Sequence, residues 1–132
     1  MIEVLRFRVE KLIRDKMPEI MRAAGLRVFE RTMDFDEFVR SLRTKLVEEA
    51  AEAAASASPE DLLGELADVM EVVIALTEAS DFTFADLEAA RLAKREARGG
   101  FAGRIHNAAI EADEGCPALS YYLSSPDKYP RL

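Results

Sequence analysis

An all-α fold with a central antiparallel helix hairpin is predicted by three features of the chain. Helix-capping patterns stand at Asp34, Ser58 and Thr83. The segments they open carry apolar residues at three- and four-residue spacing, the period of a helix with one buried stripe. A Ser58-Pro59 step then divides the longest apolar stretch into two helices that must be close neighbours.

Each element follows from local chemistry. Asp15 is placed to cap a short helix over "KMPEIMRAA", with Pro18 in its first turn and Gly25 as its stop. The stretch "LRVFERTM" is β-branched and mixed enough to be extended, as one short strand or an arm. Asp34 and Glu37 form a capping-box pattern for a long helix from about Phe35 to Ala57. Ser58 caps the next, Pro59 occupies its first position, and the helix runs to about Ala79. Thr83 and Asp86 open a fourth, from about Phe84 to Arg98, stopped by Gly99-Gly100. Beyond Gly100 the signals weaken. "FAGRIHNAAIEADEG" has room for a short helix, and "CPALSYYLSSPDKYPRL" reads as a tail with turns. The expected organisation over 1–132 is a single domain, with a helical core at about 9–101 and a tail at about 102–132.

Composition limits the function classes. With 132 residues, 49% of them hydrophobic and 33% charged, the chain is long enough for one soluble domain with a core. No apolar run approaches the roughly 20 residues of a membrane span. The opening "MIEVLRFRVEKLIRDK" lacks the continuous apolar core of a signal peptide. Cys116 is the single cysteine, which excludes an intramolecular disulfide and argues against a Cys-based zinc site. A cytoplasmic setting and no membrane partner are therefore expected. A net charge of −7 argues against a nucleic acid polymer as partner. It leaves room for a small anionic substrate, because a bound metal ion reverses the local sign.

The acidic residues near the Ser58-Pro59 step carry the functional signal. Around the apolar stripe centred on Leu42, Glu49 falls about 20° from the centre and Glu52 about 80° away, at about 100° per residue. Glu49 is thus aimed at the core. On the next helix, Glu65 and Asp68 share a flank with Val69, Val72 and Leu76. The pairs Glu49/Asp68 and Glu52/Glu65 are both centred on the Ser58-Pro59 step, so in a hairpin they stand at two levels roughly 4.5 Å apart. Solvated helix charges are the ordinary reading of any one such glutamate. Four on inward stripes, matched across a capped turn, point to a cation that offsets their repulsion. All-oxygen ligation by Glu49, Glu52, Glu65 and Asp68 suits Mg²⁺ or Mn²⁺. Glu48 fits the inward geometry less well, as an outer partner or a base, and Glu71 is peripheral.

These residues also resemble a known pattern. "EEAAE" at Glu48–Glu52, followed by "ELAD" at Glu65–Asp68, resembles the EExxE…ExxD motif of the all-α nucleotide pyrophosphohydrolases, the superfamily of MazG-type enzymes, all-α dUTPases and phosphoribosyl-ATP pyrophosphohydrolases. "EKLIRDKMPEIM" at Glu10–Met21 is similar to the KLVRDKIP-type opening of a MazG-like branch, and "KREARGGF" at Lys94–Phe101 to that branch's closing basic segment. The resemblance spans roughly Val9 to Phe101 and leaves the tail unmatched.

The resemblance implies Mg²⁺-dependent hydrolysis of a nucleoside triphosphate between its α and β phosphates, giving a monophosphate and pyrophosphate, with clearance of noncanonical nucleotides as the expected role. By motif position it selects the same four metal ligands, and it implies assembly as a homodimer or homotetramer whose partner helices complete the bundle. Phosphoanhydride hydrolysis needs a positioned water and cations on the phosphates. Glu48 and Glu52 are the expected catalytic carboxylates, with Glu48 the candidate base. Lys94 and Arg98 on the basic stripe of the fourth helix, and Arg14 and Lys16 in "RDK", are the expected phosphate contacts. Basic residues at a helix C-terminus are also favoured by the helix dipole alone. Two alternatives stand beside this expectation: a phosphoribosyl-ATP pyrophosphohydrolase, whose acidic motif is the same, and a non-catalytic helical module for a nucleotide or a protein partner.

Overall fold

A computed structural model describes residues 2–132. Its regular secondary structure is helical throughout: α1 (Met17–Ala23), α2 (Phe35–Ala55), α3 (Pro59–Ala79), α4 (Phe84–Arg98) and α5 (Leu119–Leu123), with no strand among the described residues. The chain folds as two compact units that divide between Lys94 and Arg95.

In the first unit, α1 begins without its expected cap. Lys16 holds the N-cap position in a helical conformation, no side chain caps it, and Pro18 occupies the first turn. Asp15 is therefore not the cap: with Lys16 already helical, the extended backbone that aims a cap side chain at the first turn is missing. Gly25 ends α1 at φ +93, a left-handed conformation that costs glycine little. Two backbone bonds complete that stop, Gly25 N to Arg22 O at 3.0 Å and Leu26 N to Met21 O at 3.1 Å.

The "LRVFERTM" segment is an arm and not a strand. Arg22 ties it down, its Nη2 donating to Val28 O at 3.2 Å and to the Glu30 carboxylate at 2.5–2.6 Å. Arg31 clasps Glu37 at the start of α2 through both guanidinium ends, at 2.6 and 2.8 Å. Arg6 lies over the Phe29 ring, 4.8 Å from its centroid.

The caps of the long helices match their sequence signals. Asp34 accepts from Glu37 N at 2.8 Å, and Ser58 Oγ accepts from Asp61 N at 3.1 Å. Thr83 and Asp86 bond reciprocally, Thr83 N to Asp86 Oδ2 at 2.9 Å and Asp86 N to Thr83 Oγ1 at 3.1 Å. α2 stops at Ala55, two residues before the expected end. Ser56 is already extended (φ −62, ψ 142), because the link must turn the chain and leave Ser58 extended for capping. Ser56 Oγ then satisfies Ala53 O at 2.8 Å.

Within this unit α2 and α3 are the helices that pack against one another. Leu42 and Val72 are the buried apolar residues at their interface level, at 3% and 5% exposure. The apolar breadth of α3 predicts cover on more than one side, yet Leu62, Leu63, Leu66 and Met70 are exposed. One chain covers only the face that meets α2. Among the described residues, no helix is long and apolar enough to cross a membrane.

The second unit runs from Arg95 to Leu132. The expected short helix in 101–115 is not there, and α5 forms instead in the segment read as tail. A helix this short does not stand on propensity. Aromatic packing supports it: the rings of Tyr121, Tyr122 and Tyr129 meet at centroid distances of 4.9–5.8 Å, two of the three pairs edge to face.

Candidate metal centre

Glu49, Glu65 and Asp68 come together from α2 and α3. Each offers a carboxylate oxygen, and the three lie within 4.8 Å of one another. Among the described residues, Glu49 is the only charged one that is buried, at 8% exposure. Its place on the Leu42 stripe explains this: a residue two turns on from Leu42 faces the same neighbour. One oxygen each of Glu49 and Glu65, the Oε2 atoms, is buried with no hydrogen-bond partner among the described residues. Such orphaned acceptors are rare in folded proteins and costly, which makes them informative.

Glu52 stands slightly apart. It is exposed, and its oxygens lie outside the group of three. It remains coupled to that group: its carboxyl titrates above the ordinary glutamate range, first because it shares a hydrogen-bonding contact with Glu49, then through the charge of Glu49, partial desolvation, and the charges of Glu65 and Glu48. The difference from the matched-level expectation follows from its angle on α2, since about 80° from the stripe centre is the rim of the interface. On the rim side an open groove of about 650 Å³ is bordered by Glu52, Glu60, Asp61, Glu65 and Asp68, with Gly64 between them. Among the described residues, no basic side chain lines it. An anionic ligand enters such a groove only with cations that offset these carboxylates.

Basic side chains pair with members of this acidic group. Lys45 Nζ lies 3.3 Å from Glu49 Oε1, the i,i+4 pair legible in the sequence. Arg14 Nη2 lies 2.6 Å from Asp68 Oδ1, and Lys11 Nζ 3.3 Å from Glu48 Oε1. The segment before α1 is thereby laid against both long helices. Arg14 thus reaches the acidic group, whereas Lys16 is exposed and makes no side-chain hydrogen bond or ion pair with the described residues.

Lys94 is likewise exposed, at the end of the first unit. Arg98 belongs to the second unit, where its positive charge is one of the influences lowering the titration of Tyr121, after the Tyr129 hydroxyl contact and Lys128. Arg91 of the same basic stripe is committed to Glu88, Nε to Oε2 at 3.0 Å.

Sequence reasoning missed Lys11 as a partner of Glu48 and missed the acidic border contributed by Glu60 and Asp61. The Lys11–Glu48 pair joins residues 37 apart, and no local spacing signals it. Glu60 and Asp61 were legible only as first-turn residues favoured by the helix dipole. No family model, curated protein or solved structure matches the chain.

Proposed function

We propose that the chain is a Mg²⁺-dependent nucleoside triphosphate pyrophosphohydrolase, with Mn²⁺ as a workable substitute, that cleaves between the α and β phosphates. The observation that carries this reading is the buried Glu49, whose unpartnered oxygen adjoins Glu65 and Asp68. The donor set fits the cation: all-oxygen, carboxylate, and drawn from two rigid helices. Orphaned oxygens in a cluster of like charge are explained by a ligand that supplies positive charge, and the resemblance of "EEAAE…ELAD" to the pyrophosphohydrolase motif supports the same choice.

In this reading Glu49, Glu65 and Asp68 hold the cation, and Glu52 completes the set from the groove side. A bound divalent ion supplies positive charge to the phosphate oxygens and to the attacking water. Glu48 and Glu52 orient that water and accept its proton. Its oxygen attacks the α phosphorus, the bond to the bridging oxygen breaks, and the electron pair leaves with pyrophosphate. Arg14 and Lys16 bind phosphate oxygens. The nucleotide enters along the acidic groove, which admits it only in company with metal.

The reading includes a helical bundle completed by a second copy, as a homodimer or homotetramer in the cytoplasm. Supporting this, Leu62, Leu63, Leu66 and Met70 leave the apolar side of α3 exposed. A measured solution mass equal to one chain removes this part of the reading.

A panel of nucleoside triphosphates incubated with Mg²⁺, with phosphoribosyl-ATP included because the acidic set suits either substrate, tests the central claim. Pyrophosphate and monophosphate are the expected products, and inorganic phosphate alone places the cleavage elsewhere. A second reading, a non-catalytic helical module, draws on the pairing of Glu49 and Asp68 with Lys45 and Arg14, which offsets part of the cluster's charge without metal. A thermal melt unmoved by Mg²⁺ or Mn²⁺, together with no hydrolysis, selects it.

A further inference from the structure

Motif position makes Arg14 a phosphate ligand, but its partner in the fold is a different group. Its Nη2 donates to Asp68 Oδ1 at 2.6 Å, across 54 residues of sequence. Asp68 is one of the three clustered carboxylates, while Glu49 and Glu65 of that cluster each keep a buried, unpartnered oxygen. The guanidinium therefore pairs with one member of the set. Arg14 lies in the segment before α1, which has no regular secondary structure, whereas Asp68 is fixed on α3.

Resting on the proposed metal centre, we infer that Arg14 and a divalent cation compete for the Asp68 carboxylate, so that metal binding releases the guanidinium from α3. Two physical points carry this. A guanidinium and a divalent ion on one carboxylate are like charges at close range, and their repulsion is strong wherever solvent is partly excluded. The pair is also open to exchange, since its side chains are 54% and 43% exposed and exposed ion pairs are weak. Arg14 is thus a positioning residue for the ligand set: it holds the Asp68 carboxylate in place, and it leaves when the cation arrives. Its release frees a cation beside the groove at the moment an anionic ligand is admitted.

Calorimetric titration of the full chain with manganese chloride alone, without nucleotide, tests the competition. Wild type, Arg14→Gln, Arg14→Lys and Arg27→Gln are compared at low and high salt. Arg27 is exposed and outside the cluster, so its variant controls for net charge. Arg14→Gln is expected to bind Mn²⁺ about two- to five-fold more tightly at low salt, the range set by the weakness of exposed ion pairs. Arg14→Lys should stay near wild type, and the advantage of Arg14→Gln should shrink as salt screens the pair. Equal Mn²⁺ affinity in wild type and Arg14→Gln overturns the competition and leaves the metal centre standing. An equal gain in Arg27→Gln, or a gain that salt does not reduce, overturns it as well. Absence of Mn²⁺ binding in every variant refutes the metal centre itself.

Discussion

Replacing Glu49 by glutamine should stabilise the protein in chelator and destabilise it, relative to wild type, in Mn²⁺. Glu49 faces two carboxylates within 4.8 Å, each repelling it by about 3.5 kcal/mol at an effective dielectric near 20. Lys45, at 3.3 Å, returns about 5 kcal/mol on the same scale. On these terms alone the repulsion exceeds the attraction by about 2 kcal/mol before solvent screening, which reduces the difference, with Asp68 43% exposed. Glutamine keeps the shape and an oxygen for Lys45 while removing that excess. At roughly 3–5 °C per kcal/mol for a domain of this size, the melting temperature in chelator should rise by a few degrees. With free Mn²⁺ at about 100 times its dissociation constant, wild type gains about 2.7 kcal/mol, and a variant lacking the buried ligand gains much less. The order of stability should invert on adding metal. Differential scanning calorimetry at fixed protein concentration reads both arms. Glu49→Gln melting below wild type in chelator refutes the electrostatic argument, and equal metal-induced shifts refute the role of Glu49 as a ligand.

Three further outcomes are expected. Glu52 titrates above its ordinary range in the folded chain, so in the interval between the two values the folded state holds a proton that the unfolded state has lost. Stability in chelator should therefore fall as pH rises through that interval, and Glu52→Gln should flatten this part of the urea-denaturation profile. The same variant, assayed with Mg²⁺ and the preferred nucleotide, should lose at least about 100-fold in turnover without melting lower, if Glu52 positions the attacking water. Ser58→Ala removes the cap on Asp61 N and should cost about 1 kcal/mol in urea unfolding. Because the 56–58 link sets the facing levels of α2 and α3, that variant should also bind Mn²⁺ more weakly.

Sequence by itself determined the helices whose starts are local events. Asp34, Ser58-Pro59 and Thr83 with Asp86 each satisfy backbone donors within three residues, and α3 and α4 have the bounds those signals predict. Periodicity likewise placed Glu49 on the Leu42 face, because a helix repeats its directions regardless of what it packs against. It could not tell how far around the rim Glu52 would fall, since that depends on how closely α3 approaches. Asp15 and α5 show the limit from the other side. A cap also requires an extended backbone at the capping residue, and α5 stands on a tyrosine cluster that reaches to Tyr129. Tertiary structure alone decided that Arg14 meets Asp68 and Lys11 meets Glu48, pairs separated by 54 and 37 residues. Contacts at such separations are fixed by where the segment before α1 is laid, and no helical period or capping rule encodes that path.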